Sequence, residues 1–192
     1  MTSSTRPKTS YIGHTQNWLS SVVIDLGLCP FAKREFDAGR ISYRVVETDD
    51  LQGQLQEIIL ECAAMEADRE KETSLLIFPQ GLSDFAAYLN MLALANALMA
   101  EQGYEGIYQL ASFHPDYCFA ESAIEDASQY TNRSPYPMVH VLREASVETA
   151  LKNYANPEKI PDRNIKLTRE LGAAAMQSLL TKCYTDVDFG SA

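Results

Sequence analysis

The sequence lacks the apolar run that a membrane span needs, and it has few basic residues. No stretch approaches the roughly 18 consecutive apolar residues of a transmembrane helix, and residues 1–10 are polar where a secretion signal would carry an apolar core. Lys and Arg number 16 against 26 Asp and Glu, which gives a formal net charge of −10 without any basic run. Because binding to nucleic acid or to an anionic membrane surface depends on clustered Lys and Arg, we expect neither partner, and we expect a cytoplasmic location.

Cysteine is also scarce, and its spacing excludes the common cysteine motifs. The four cysteines are Cys29, Cys62, Cys118 and Cys183, and no two of them have the spacing of a C-x-x-C pair, a zinc finger or a zinc ribbon. In the absence of an export signal we expect reduced thiols.

Length and composition indicate one domain with a real hydrophobic core. The chain has 192 residues, of which 46% are hydrophobic. We expect a disordered arm over residues 1–10, a single domain over residues 11–185 and a polar tail over residues 186–192.

The hydrophobic pattern predicts alternating strands and helices. Helices are expected at about 15–26, at 51–69 (capped by Asp49 or Asp50), from a cap at Ser83 or Asp84 to about Glu101, after Ser134-Pro135, and at about 164–184. Strands are expected at 41–48, 73–78 and 104–113. Residues 114–133 have no periodicity, and their aromatic side chains favour an ordered, packed loop. The order predicts an α/β (or α+β) fold, with an at least partly parallel sheet of three or more strands packed with helices.

His114 follows the third predicted strand, near the polar end of the second at Pro79-Gln80-Gly81. In open α/β sheets ligands bind beyond the carboxyl ends of the strands, so His114 is a candidate general acid, general base or metal ligand. The alternative is a histidine that caps the strand and bonds to the loop.

His140 lies on the helix predicted after Ser134, with Glu144 one turn on and Arg143 beside it. This spacing suggests a histidine oriented by a carboxylate and aimed at a ligand. A local surface pair or a half-buried histidine is the alternative.

Cys29 precedes Pro30, a residue typical of a first helical position. A cysteine at a helix N-cap has a lowered pKa, so Cys29 is a candidate nucleophile. The alternative is a small buried side chain at a tight corner.

Arg133, with Asn132 and Ser134, stands directly before a predicted helix N-terminus. A guanidinium beside free backbone N–H groups forms an anion pocket. The alternative is a structural arginine that ties the long loop to the domain.

Three blocks resemble a bacterial family catalogued as domain of unknown function 1415. They are residues 28–32 (LCPFA), 111–115 (ASFHP) and 131–144 (TNRSPYPMVHVLRE), and the resemblance runs over about residues 14–182. It implies a bacterial, cytosolic, single-domain protein and brings no established activity, cofactor or catalytic residue.

The residue chemistry leaves several functions open. The first hypothesis is an enzyme acting on an anionic small molecule, with Cys29, His114 and His140 as catalytic residues and a substrate-binding set of Arg133, Asn132, Ser134, Arg143 and Glu144. The others are a zinc site made of Cys29, His114 and His140, a non-catalytic binding or regulatory domain, and a purely structural role for all three blocks. Cofactor, substrate and oligomeric state stay open.

Overall fold

A computed structural model describes residues 6–185 of the chain. The strands are β1 (Ile41–Val45), β2 (Thr73–Ile77), β3 (Tyr108–Phe113) and β4 (Met138–Arg143). The α-helices are α1 (Lys8–Trp18), α2 (Ala32–Asp37), α3 (Leu51–Ala67), α4 (Phe85–Glu101), α5 (Glu144–Lys152), α6 (Ile160–Leu171) and α7 (Ala173–Lys182). A π-helix (Leu19–Ile24) continues α1, and short 3₁₀ helices lie at Ala127–Thr131 and Pro157–Lys159.

The four strands form one mixed sheet in the order β1-β2-β4-β3. β1 and β2 are parallel, whereas β4 is antiparallel to both β2 and β3. β1, β2 and β3 therefore run in the same direction and β4 runs against them. The predicted α/β class with a partly parallel sheet is confirmed.

The prediction of a helix after Ser134-Pro135 is wrong, because residues 138–143 form strand β4. Val139 and Val141 pack on one side of the sheet, and Met138 packs on the other. Both faces of β4 are covered, so its apolar residues do not alternate with polar ones. A short apolar run of this kind looks the same for a buried strand and a buried helix.

Each face of the sheet packs against its own layer of helices. On one face, α3 and α4 bury a cluster that includes Ile58, Met91 and Val139. On the other face, α1, the π-helix and α7 bury a cluster that includes Trp18, Leu75 and Met176. We call these the α3/α4 face and the α1/α7 face.

The predicted helix starts of α3 and α4 are confirmed in atomic detail. The Asp50 carboxylate accepts the Gly53 N–H at 2.8 Å, and the Asp84 carboxylate accepts the Ala87 N–H at 2.8 Å. Each side chain satisfies one backbone donor that the first helical turn leaves free.

Other boundaries differ from the prediction. Helix α1 begins at Lys8, inside the segment predicted as an arm, and the single helix predicted over 164–184 is two helices divided at Gly172, whose φ of 83° ends α6. The predicted polar tail, residues 186–192, lies outside the described residues. Within residues 6–185 no helix is long and apolar enough to cross a membrane.

Candidate functional site

A cavity of about 280 Å³ lies against the α1/α7 face of the sheet. Its floor crosses three strands at Leu75, His140 and Ala111, which are direct cross-strand neighbours. The corner that contains Cys29 lines the same cavity, and one side of α5 lines it as well. Two of the three predicted catalytic residues therefore share one cavity, which we call the Cys29–His140 cavity.

The hydrogen bonds of His140 determine which ring nitrogen carries the proton. The Thr73 hydroxyl donates its single hydrogen to the Val141 carbonyl at 2.7 Å. The same oxygen lies 2.5 Å from His140 Nε2 and must accept there, so Nε2 carries the hydrogen. The other nitrogen, Nδ1, is then unprotonated and keeps its lone pair.

Among the described residues Nδ1 has no hydrogen-bond donor, and the imidazole ring is neutral at pH 7. The half-buried side chain of His140 is part of the cavity lining. Burial of the ring lowers the pKa of His140 to about 4. The side chain thus contributes a neutral, weakly basic hydrogen-bond acceptor to the lining of the cavity.

Cys29 is held at a tight corner between the π-helix and α2. Gly27 opens the corner with a φ of 66°, and the Leu28 N–H donates to the Val23 carbonyl at 2.9 Å. From α6, the Asn164 amide donates to the Leu28 carbonyl at 2.7 Å and Arg163 donates to the Gly27 carbonyl. These contacts hold the backbone directly before Cys29.

The environment of Cys29 differs from the predicted helix N-cap. Helix α2 begins at Ala32 with Phe31 as its N-cap residue. Burial raises the pKa of the Cys29 thiol, and hydrogen bonds from the Phe31 and Ala32 N–H groups only partly oppose this rise. The thiol is therefore protonated at neutral pH, contrary to the expected low pKa.

Most charged side chains around the cavity already have partners. The buried Glu35 carboxylate is paired with Arg34 and Arg40, each at 2.6 Å. The Arg143 guanidinium donates to the carbonyls of Met65, Asp68 and Lys71 and to the Tyr108 hydroxyl. Arg143 thus fastens the end of α3 to β4 and has little capacity left for a ligand.

The π-helix adds an independent indication of function at this place. Such segments are rare and occur often at functional sites. Leu19, its first residue, lines the Cys29–His140 cavity. Neither the π-helix nor Thr73 was predicted from the sequence. Thr73 acquires its role only from the pairing of β2 with β4.

His114 lies on the opposite side of the sheet and serves the fold. Its Nδ1 accepts the Asp116 N–H at 3.0 Å, so its Nε2 donates to the Leu82 carbonyl at 2.9 Å. Its ring packs 5.2 Å from that of Tyr88, on the α3/α4 face. The ends of β2 and β3 do converge as predicted, yet His114 has no free nitrogen and does not face the cavity.

Arg133 and its neighbours hold the long loop. The guanidinium donates to the carbonyls of Tyr117 and Ile124, both at 3.3 Å, and stacks 4.7 Å from the centre of the Tyr130 ring. Asn132 donates to the Ser112 carbonyl at 3.0 Å, and the buried Ser134 hydroxyl donates to the Tyr136 carbonyl at 2.6 Å. The loop is ordered and packed, as predicted, but no helix N-terminus follows it.

The predicted pairing of His140 with Glu144 across a helical turn is wrong, because His140 lies in a strand and Glu144 begins α5.

A zinc site of Cys29, His114 and His140 is also contradicted. In the part of the chain that the structure describes, no group of three or more His, Cys, Asp or Glu side chains could hold a metal ion.

Replacing His114 should cost much more stability than replacing His140. His114→Leu leaves the Leu82 carbonyl and the Asp116 N–H buried without partners, so we expect a loss of about 2–4 kcal/mol in the free energy of unfolding. His140→Leu leaves the Thr73 hydroxyl bonded to Val141 and places an apolar side chain in an apolar cavity, so we expect a change below about 1 kcal/mol. Urea denaturation of both variants measures this; equal losses would contradict the assignment.

His140 should also make stability depend on pH in a defined window. Below about pH 6.5 the unfolded chain protonates this histidine, whereas the folded chain resists protonation until its pKa of about 4. As pH falls through that window, the wild-type chain should lose on the order of 3 kcal/mol more than His140→Leu. Denaturation of both proteins at pH 7, 5.5 and 4 tests this, and parallel profiles would refute a buried neutral His140.

The comparisons with known proteins agree with the resemblance found in the sequence. The profile of a family described as "Protein of unknown function (DUF1415)" matches residues 10–178. No curated protein matches the chain, and no solved structure matches it. The chain therefore belongs to the DUF1415 family of proteins of unknown function.

Proposed function

We propose that this protein is an enzyme in which Cys29 is the nucleophile and His140 the general base, acting on a small molecule in the Cys29–His140 cavity. The observation that carries the proposal is the open, unprotonated Nδ1 of His140 in the same cavity as the thiol. A nucleophile and a base that is oriented by a third group form the usual arrangement of covalent catalysis.

The raised pKa of Cys29 makes a base necessary. A protonated thiol is a weak nucleophile, and the thiolate is the reacting species. Glu35 cannot easily supply the base, because both of its oxygens are paired with arginines. Glu72 also lines the cavity, but its Oε1 is buried in the protein. We therefore assign the base to His140 Nδ1, which carries no proton and receives no hydrogen bond from the described residues.

In the proposed step the proton leaves the thiol as the new bond forms. Because the pKa of His140 is lowered and that of Cys29 is raised, no separate thiolate accumulates: Nδ1 of His140 takes the proton from Cys29 Sγ while the sulfur electron pair forms a bond to an electrophilic carbon of the substrate. The leaving group departs with the electrons of its broken bond and takes the proton back from Nδ1. The Phe31 and Ala32 N–H groups stabilise the passing thiolate, and Thr73 acts as a positioning residue that holds the tautomer.

A non-catalytic ligand-binding domain is the second candidate, and the raised pKa of Cys29 favours it. In that case His140 only accepts a hydrogen bond and the thiol is inert.

The earlier hypothesis of an anionic substrate held by Arg133 is not supported, because that guanidinium donates its hydrogen bonds to loop carbonyls. A cytoplasmic location fits the four free thiols.

Alkylation of Cys29 by iodoacetamide tests the proposed pair. The reaction forms an S–C bond, releases iodide and needs a base for the thiol proton. General-base assistance typically contributes 10²–10⁴-fold, so His140→Leu should slow Cys29 alkylation at pH 7.5 at least about tenfold. Thr73→Val, which frees the ring to adopt the other tautomer, should slow it by a smaller factor. The measurement is mass spectrometry of the Cys29 peptide against time.

Two controls make the result specific. Cys29→Ser identifies which signal belongs to this thiol, and Cys62, whose pKa burial raises to about 12, should stay unmodified in the folded protein. Equal alkylation rates in wild type and His140→Leu would reject the catalytic pair and leave the binding domain as the better account.

A further inference from the structure

A second, larger cavity adjoins the first. It encloses about 680 Å³, and Cys29 and Phe113 line both cavities, so these two side chains form the wall between them. The π-helix also contributes to both, with Leu19 in the smaller cavity and Val23 in the larger one. The two spaces are thus neighbouring chambers on either side of the candidate nucleophile.

Their sizes indicate how a ligand would use them. Small-molecule sites usually enclose about 300–1,000 Å³. The smaller chamber, at about 280 Å³, lies just below this range and accommodates only part of an ordinary ligand. The larger chamber, at about 680 Å³, lies within it and supplies the remaining space.

The charges around the chambers oppose an ionic ligand. The charged residues of the smaller chamber are two arginines and two glutamates, Arg34, Arg143, Glu35 and Glu72. The single charged residue of the larger chamber is Glu121. An anion would therefore meet no lysine or arginine in the larger chamber, and the formal charges of the smaller chamber cancel, so neither chamber has a net charge that favours an anion.

In the smaller chamber, His140 Nδ1 has a free lone pair and can only accept a hydrogen bond. A complementary ligand brings a hydrogen-bond donor, an O–H or an N–H, to this end of the site. The rest of the smaller chamber is mainly apolar, with Leu75, Leu142 and Val147 among its walls.

From these observations we infer that the two chambers form one bipartite site for an elongated, uncharged molecule. Its apolar end, with an O–H or N–H group that donates to His140 Nδ1, occupies the smaller chamber. Its other end lies in the larger chamber among the side chains of Asn132, Asn164 and Ser122. The molecule crosses the wall beside Cys29, which places its reactive carbon at the thiol. This inference rests on the proposed function of the smaller chamber.

A matched pair of fluorescent dyes tests the ligand class. N-phenyl-1-naphthylamine is elongated, uncharged and carries one N–H donor, and 8-anilinonaphthalene-1-sulfonate is the same skeleton with one sulfonate. We expect the uncharged dye to bind at least tenfold more tightly to the full chain. Tighter or equal binding of the sulfonate, or no binding of the uncharged dye up to its solubility limit, would overturn the inference.

Variants that fill one chamber at a time test the bipartite site. Ala150→Phe fills the smaller chamber and Ala120→Trp the larger one, whereas Ala93→Phe, on the exposed side of α4, lines neither. Each of the first two should weaken binding of the uncharged dye at least tenfold, and the third should not. If Ala150→Phe fails to fold, Val147→Phe replaces it.

The outcomes separate this inference from the proposed function. Weakened binding in only one of the two filled variants means that the dye occupies a single chamber, which rejects the bipartite site. Iodoacetamide alkylation of Cys29 is measured without the dye. A failed dye test beside His140-dependent alkylation therefore overturns the ligand class alone, and the reverse combination overturns the catalytic pair alone.

Discussion

Strand β4 lies between β2 and β3, and the candidate site depends on that placement. The strand enters antiparallel to both neighbours, so its backbone groups are paired on each side. Its alternating side chains contribute Val139 and Val141 to one core, while Met138 enters the other and His140 lies in the cavity floor. The same pairing brings Thr73 on β2 next to His140 and the Val141 carbonyl. A histidine in the middle of a sheet face thereby acquires a fixed tautomer without any carboxylate partner.

The contrast between His140 and His114 shows why the number of hydrogen bonds matters more than the residue type. Both rings are enclosed by the fold, but His114 uses both nitrogens to join two loops at one end of the sheet. His140 uses one nitrogen and leaves the other without a hydrogen bond from the described residues, and burial lowers the pKa of the ring to about 4. A lone pair that the fold does not use is typical of a functional group, since proteins accept such local costs at sites of function.

Local sequence signals predicted the parts of the fold that local interactions determine. The apolar run at Thr73–Ile77 and the caps Asp50 and Asp84 were found where expected, because a buried strand and a capped helix start have short-range patterns. Strand β4 was missed, because its buried residues do not separate a period of 2 from a period of 3.6. That one error paired His140 with Glu144 on a helix that does not exist, and it created the supposed anion pocket at Arg133. Cys29 and His140 were expected in one site from their chemistry alone, and the structure places both in the lining of one cavity.

The state of the His140 ring is the most direct test of this account. Nitrogen-15 NMR of the imidazole groups, with the His140→Leu spectrum to assign the signals, reports which nitrogen carries the proton. The account predicts one tautomer from pH 5 to 8, with Nε2 protonated and Nδ1 bare. A ring protonated at Nδ1, or an imidazolium already present at pH 6, would contradict it, because the cavity would then offer Cys29 no base.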